Sequence, residues 1–378
     1  MVYISLLYNP ILYRDRYLLL LEEQKKASEK YLIFVGKKIE NYNTDSNVAV
    51  LDSKSYFSFA FKVAMELKRL RKKSDDFILL NEHLVSLVSM ILFFLNFKNI
   101  KKVANLYSSE IFFLVKKGWR IDSNSKDFVS YRQAYNIILS RIKPVVYRII
   151  TILFSNYFIG NSEQIAYDLP KSKKLSFFVV DTNIDLYPNF KKLVKPAQYL
   201  YPINLLYVGK IYPAKGIGTM LAAIGLLKEK FDSHLFIIGK LSRNDKIWYE
   251  RMIKYYGVED SITRIDQIKH DGLFPFYKYT DAFIMPSFFE GSPRVLKEAI
   301  VSGCPIAASN ISGNKILDSN DDSILYFEPG DADDLLSCLV KIINGKNTYV
   351  KQSNYVNKFS SKEIALKRLN IYKDIIEK

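Results

Sequence analysis

At 378 residues and 49% apolar composition, the chain is long enough for two ordinary domains, each with a core, and too apolar to be disordered. Fifty-five Lys and Arg against thirty-nine Asp and Glu give a net charge of +16, which implies an anionic partner: a nucleotide, a phospholipid surface or nucleic acid. Nucleic acid is the weakest of the three and is set aside, because no zinc-finger spacing or compact recognition module accompanies the charge and the aromatics lie in core-like segments.

The opening MVYISLLYNP has no basic leader or cleavage signature and reads as a strand, Val2 to Leu7. A second strand, Tyr31 to Val35, closes at Gly36. Ser58 to Lys72 predicts a helix, Phe77 to Leu80 a strand, Leu84 to Asn96 a helix and Lys102 to Leu106 a short strand. Ser108 to Asp127 has no clean period. Phe158 and Ile159 lead into the turn Gly160-Asn161-Ser162. Strands alternating with helices are the rhythm of a parallel sheet covered on both faces.

The longest apolar run, Leu84 to Phe97, is fourteen residues, too short to span a bilayer comfortably. A buried helix is one reading. The other weighs its flanks, with Lys62, Lys68, Arg69, Arg71, Lys72 and Lys73 before it and Lys98, Lys101 and Lys102 after it. Ile137 to Phe158 mixes Arg141, Lys143 and Arg148 with apolar residues in the same way. Such helices lie in membrane interfaces and attract anionic lipid, so peripheral membrane contact is expected through the first domain.

The polar, Pro- and Lys-containing stretch from Asp181 to Pro202 is the linker candidate, with 186–202 as its core. The first domain is then 1–185 and the second 203–355. Within the second, strands are expected at Asn204 to Val208, His234 to Ile238, Ser261 to Ile265, Ala282 to Met285 and Pro305 to Ala308. Helices are expected at Gly218 to Glu229, Lys246 to Tyr256, Arg294 to Val301 and Asp333 to Ile343. This is a second doubly wound α/β domain. Two such domains facing each other make a cleft, with ligands at the carboxyl ends of the strands. The closing segment, 356–378, contains a helix from Lys362 to Ile376 with no place in the second sheet, and it is expected to pack back toward the first domain. Cys304 and Cys338 sit in apolar settings and read as buried thiols in a reducing compartment.

The chemistry concentrates in SFFEGSPRVLKEAIVSGCPIAAS, from Ser287 to Ser309. Glu290 and Glu298 stand on either side of a turn, Gly291-Ser292-Pro293, that opens into a helix. Pro293 suits the first helical position, where a missing N–H costs nothing. Free amides from Ser292 to Val295 attract phosphate, and the two carboxylates could grip hydroxyls on either side. Arg294 adds a charge there or lies on the solvent face. It also stands four residues before Glu298 and could pair with it, whereas Glu290 has no comparable partner at helical spacing. Earlier, the strand ending at Val208 runs into Gly209-Lys210-Ile211-Tyr212-Pro213-Ala214-Lys215-Gly216. Lys210 and Lys215 can neutralise a diphosphate, bound or leaving. Alone, two lysines in a loop are weak evidence. Both segments follow strands of one domain, however, and so open on one rim.

The second half resembles the nucleotide-binding domain of the retaining glycosyltransferases of family four, as found in bacterial surface-polysaccharide synthesis. Their pattern appears as Ser287, Glu290, Gly291, Glu298, Ala299, Gly303 and Pro305, and their diphosphate loop as Gly209, Lys210, Lys215 and Gly216. Lysine stands at 210 where arginine is commoner, keeping the charge without the bidentate fork. Gly239, the stretch YKYTDAFIMP and Phe327 to Asp331 agree as well, and the match covers about 203–343.

The resemblance implies a GT-B fold, two Rossmann-like domains facing across a cleft. It implies a retaining transfer of a hexose or N-acetylhexosamine from a nucleotide sugar, a UDP-sugar favoured, to a lipid-diphosphate-linked or polysaccharide acceptor. No cofactor and no metal is implied. The place implied is the inner face of the cell membrane. By the same resemblance Glu298 holds the ribose, Glu290 faces the donor sugar, Lys210 and Lys215 hold the diphosphate, and Gly209 and Gly291 to Val295 complete the donor site. His83 matches a histidine near the donor sugar, Glu110 lies where it could touch the acceptor, and Ser162 matches a serine of more structural role. Asn183 and Asp185 echo the linker pattern imperfectly. Lys315 stands near the position of a glutamate common in relatives, which affects the expected sugar pocket. Two other readings remain: a non-catalytic scaffold or sugar sensor, and an inverting enzyme of the same architecture, with Glu110 or His83 as base.

Overall fold

The computed structural model describes residues 2–7, 31–35, 48–70, 77–80, 90–91, 100–106, 152–155, 157–161, 176–180, 193–315, 324–345 and 357–377, with single positions 88, 149, 184 and 355. The expectations for His83, Glu110, Ser162, Asn183 and Asp185, and most of the apolar stretches 84–97 and 137–158, lie outside the described residues.

The chain divides into two compact units. Of the described residues, the first takes those within 2–106, 149–180 and 361–377, and the second takes those within 184–360. The first unit holds a seven-stranded sheet whose pairs are all parallel: β1 (Val2–Leu7), β2 (Tyr31–Val35), β3 (Val48–Val50), β4 (Phe77–Leu80), β5 (Ile100–Leu106), β6 (Tyr157–Gly160) and β7 (Ser176–Val179). Their order is β3-β2-β1-β4-β5-β6-β7. Helix α1 (Tyr56–Leu70) buries Phe59, Ala60, Val63, Ala64 and Leu67, the three- and four-residue spacing of one helical face.

The second sheet has six parallel strands: β8 (Ile203–Val208), β9 (Ser233–Ile238), β10 (Ile262–Ile265), β11 (Ala282–Met285), β12 (Ile306–Ser309) and β13 (Ile324–Phe327). The order is β10-β9-β8-β11-β12-β13, the doubly wound order of a dinucleotide-binding domain. Its inner strands β8, β9, β11 and β12 are mostly apolar and buried, because helices cover both faces. On one face Leu205, Tyr207, Leu235 and Ile237 meet α2 (Ile217–Leu227), α3 (Lys246–Tyr256) and α6 (Ala332–Ile343). On the other, Leu206, Val208, Phe236, Ile238 and Phe283 meet α4 (Phe274–Tyr279) and α5 (Arg294–Ser302). Each fully buried Leu, Ile or Phe contributes roughly 1.5–3 kcal/mol, so two continuous cores fix the register of the strands carrying the site.

The last helix, α7 (Ser361–Glu377), buries Ile364, Ala365, Leu369, Tyr372 and Ile375 in one cluster with Ile159 and Val180 of the first unit. The chain enters the second unit at Ile184 and leaves it at Ser360, and these two residues pair in parallel.

Among the described residues, the expected elements recur with their ends moved by one or two residues; the helix expected at Leu84 to Asn96 lies mostly outside them. Three strands, β3, β7 and β13, were not foreseen. Pro293 is corrected by one position. It caps α5 in extended conformation (φ −71°, ψ 120°), and Arg294 is the first helical residue. Cys304 and Cys338 are buried free thiols. Among the described residues, no helix is long and apolar enough to cross a membrane.

Candidate active site

The order of the second sheet reverses between β8 and β11, so the loops leaving their carboxyl ends turn to opposite faces and open a crevice. Those two loops are 209–216 and 286–293, the segments singled out in the sequence. Gly216 draws them together. It is left-handed (φ 68°, ψ 24°), and a β-carbon there would lie 1.9 Å from the Pro286 carbonyl oxygen. Only glycine permits both the turn and the approach. The Phe288 amide then donates to the Ala214 carbonyl at 3.2 Å. The loop after β12 closes in as well, since a β-carbon on Gly313 would lie 2.0 Å from the Glu290 carbonyl oxygen. Gly239, after β9, packs the same way on Gly209.

Charge sits where these loops meet. The Lys215 ammonium donates to Glu290 Oε1, which also accepts from Ser287 Oγ at 2.7 Å. Both side chains are largely enclosed, at 21% and 12% exposed. Burial pulls the Lys215 pKa down, but the charge of Glu290, the neighbouring Tyr212 and the hydrogen bond to Glu290 outweigh it and leave the value raised. Glu290 therefore has structural partners that helical spacing did not reveal, from a loop 75 residues away. Lys210 is exposed, and its carbonyl accepts from the Tyr207 hydroxyl at 2.9 Å. Burial, then the Glu290 charge, push the Tyr207 phenol far up, so it keeps the proton that it donates.

Glu298 is 1% exposed inside α5. Its carboxylate accepts from the Tyr277 hydroxyl at 3.1 Å, and His270 Nε2 lies 3.0 Å from its other oxygen. With the carboxylate ionised, that contact needs the imidazole proton on Nε2. His270 occupies the short turn His270–Leu273 ahead of α4 and is 30% exposed on its side chain. Before Glu298 on the helix, Lys297 is fully buried and its ammonium donates to Ser292 Oγ at 2.5 Å. Ser292 and Pro293 are buried, while Gly291, Arg294 and Val295 are half-buried.

Loop geometry thus joins Lys215, Glu290 and the turn Gly291 to Val295, with Glu298 on the helix behind them. Lys210 shares the first loop but faces solvent. Lys315 is exposed just past the turn Ser312–Asn314. Sequence reasoning missed His270 and Lys297 as site residues. Lys297 stood inside the glutamate pattern at an unassigned position. His270 carried no local signal, because its link to Glu298 exists only once α4 packs on α5.

Comparison with known proteins places this geometry. Residues 202–345 match the family model described as Glycosyl transferases group 1. Over the whole chain, the fold is similar to that of sucrose-phosphate synthase from Thermosynechococcus elongatus (TM-score 0.70, 20% identity, all of both chains). It is also similar to Anabaena HepE solved in complex with UDP-glucose (TM-score 0.68, 14% identity, 99% of this chain and all of that one). The fold is therefore the expected GT-B fold, with two Rossmann-like units. In sequence, 98 residues are 33% identical to an Escherichia coli enzyme, UDP-Gal:alpha-D-GlcNAc-diphosphoundecaprenol alpha-1,3-galactosyltransferase, over 26% of this chain and 25% of that protein. The stretches that match the first curated relatives span between 25% and 45% of those proteins' lengths.

Proposed function

We propose that the chain is a nucleotide-sugar-dependent glycosyltransferase that transfers a hexose or N-acetylhexosamine with retention to a lipid-linked or polysaccharide acceptor. The observation that carries this reading is the Lys215–Glu290 pair held at the switch point beside the start of α5, with Glu298 buried on the same helix. Lys215 and the amides of the turn hold the donor diphosphate, and Lys210 adds charge from the open side of the loop. Glu298 takes the ribose hydroxyls, and Glu290 faces the sugar. When the glycosidic bond breaks, negative charge grows on the leaving diphosphate oxygen. Cations and amides already in place stabilise it without reorganising. That oxygen then accepts the acceptor's proton on the same face of the sugar.

A UDP-sugar is favoured because HepE was solved with UDP-glucose and the Escherichia coli relative is named for UDP-Gal. The name of that relative also supports a polyprenyl-diphosphate-linked acceptor. So does the outer side of α1. Phe57, Phe61 and Met65 lie four residues apart, opposite the buried face and 58%, 47% and 44% exposed, among the exposed cations Lys54, Lys62, Lys68 and Arg69. An apolar stripe rimmed by lysine and arginine suits an anionic bilayer. The test is transfer from a series of UDP-sugars to a polyprenyl-diphosphate sugar, with the product anomer read by NMR. Retained configuration is expected. Inversion would overturn the mechanism, and no transfer or donor hydrolysis would overturn the enzyme reading.

A further inference from the structure

The ladder between β8 and β9 does not stop where the two strands end. Past Val208 and Ile238, the Gly209 amide donates to the Ile238 carbonyl at 3.0 Å and the Ile211 amide to the Lys240 carbonyl at 3.1 Å. Ile211 and Leu241 then pair in parallel. A β-carbon on Gly239 would lie 1.9 Å from the Gly209 carbonyl oxygen, so the two chains close tightly between those bonds. In this register Lys210 stands beside Lys240. The buried Tyr207 hydroxyl fixes the pairing further by donating to the Lys210 carbonyl at 2.9 Å. Directly opposed like charges destabilise a sheet, and a neutral polar pair at these positions would carry no such cost. Both lysines are exposed, and among the described residues neither has an acidic partner. Lys215, the enclosed cation of the same loop, has its charge already answered by Glu290.

We propose that Lys210 and Lys240 form a two-pronged seat for a diphosphate at the carboxyl ends of β8 and β9. Lys240 is then a binding residue that the function proposed above does not use. Two ammonium groups rooted about 4.8 Å apart on adjacent chains can each take an oxygen of one diphosphate, and the anion cancels the repulsion between them. Each lysine is a point charge on a flexible stem and can follow the anion as it shifts. The seat lies on the side of β8 away from β11, so it extends the crevice instead of repeating the contacts of Lys215. A diphosphate has two sources in the proposed reaction, the sugar donor and a polyprenyl-diphosphate acceptor. The first source rests on the nucleotide-sugar reading; the second can be tested without it.

The test titrates wild type, Lys210→Met, Lys240→Met and Lys230→Met in two arms. Lys230 is exposed in the turn before β9, so its variant loses the same charge from the opposite end of that strand and serves as the control. The first arm uses whichever of UDP, GDP or dTDP the wild type binds best, beside its bare nucleoside. The second uses phosphatidylcholine vesicles carrying polyprenyl diphosphate, beside vesicles carrying the uncharged polyprenol. Lys210→Met and Lys240→Met should each weaken diphosphate binding in at least one arm by roughly threefold to thirtyfold, between an exposed ion pair and a charge-assisted hydrogen bond. Nucleoside and polyprenol binding should stay within about twofold, and Lys230→Met should weaken neither diphosphate. The arm that responds identifies the source. Lys240→Met should also unfold in urea at or above the wild-type midpoint, because a like-charged neighbour has gone. A lower midpoint would make Lys240 a structural residue and overturn the proposal. So would diphosphate binding that Lys240→Met leaves unchanged in both arms, or that Lys230→Met lowers equally. A wild type that binds no nucleoside diphosphate would overturn the nucleotide-sugar reading, and the vesicle arm would then judge the lysine pair by the same criteria.

Discussion

Lys215→Met leaves the Glu290 carboxylate, 12% exposed, with Ser287 as its one remaining named donor. Breaking a fully buried ion pair from one side costs about 3–5 kcal/mol, because the remaining charge is uncompensated. The residual exposure of both partners puts this pair at the low end, about 2–3 kcal/mol for Lys215→Met and similar for Glu290→Gln. Removing both charges leaves no orphan, so the double variant should recover about 2 kcal/mol relative to the sum. Urea unfolding of the four proteins closes the cycle, with Trp248, in the core of the second unit, as a fluorescent reporter. The pair also has a pH signature. Because the folded Lys215 pKa is raised, its stabilisation stands in full below the ordinary lysine value of 10.5 and is lost as pH rises through the folded value. The gap between wild type and Lys215→Met should therefore hold steady from about pH 7 to 10 and close above 10.5. Single-variant losses under about 1 kcal/mol, or a double variant as unstable as the sum, would refute the reasoning.

Gly216→Ala forces a β-carbon to 1.9 Å from the Pro286 carbonyl in a left-handed turn, so a loss of at least about 2 kcal/mol is expected on unfolding; a loss below about 0.5 kcal/mol would show that the loops do not meet there. Tyr277→Phe removes one of the donors to a buried carboxylate and should cost about 1.5–3 kcal/mol, read by the same urea titration. Burial pushes the Cys338 thiol up to about 11 and that of Cys304 higher still, so native protein should react with a thiol reagent at pH 8 far more slowly than protein in urea. Phe57→Asp with Phe61→Asp should abolish sedimentation with vesicles containing phosphatidylglycerol while leaving nucleotide affinity unchanged; undiminished sedimentation would remove α1 from the membrane contact.

Strands β8, β9 and β11 were legible because they are mostly apolar runs ended by Gly209, Gly239 and Pro286, punctuation that survives without tertiary context. The glutamate pair and the lysine loop were legible for the same reason, as fixed spacings around a helix start. What spacing could not reveal was partnership. Lys215 reaches Glu290, and His270 and Tyr277 reach Glu298, only after separate elements pack, so those bonds leave no periodic trace. Lys297 shows the limit most plainly. Written between Leu296 and Glu298, a lysine reads as solvent-facing, yet the turn of α5 that buries Leu296 also buries it.

The proposed function requires the switch-point loops of the second unit to bind a nucleoside diphosphate. Calorimetric titration with UDP, GDP and dTDP, in EDTA, of wild type beside Lys215→Met and Glu298→Ala tests it most directly. One diphosphate should bind the wild type, with affinity falling at least about tenfold in each variant, the effect of one lost charged contact. Failure of all three to bind, or binding unchanged in both variants, would contradict the claim.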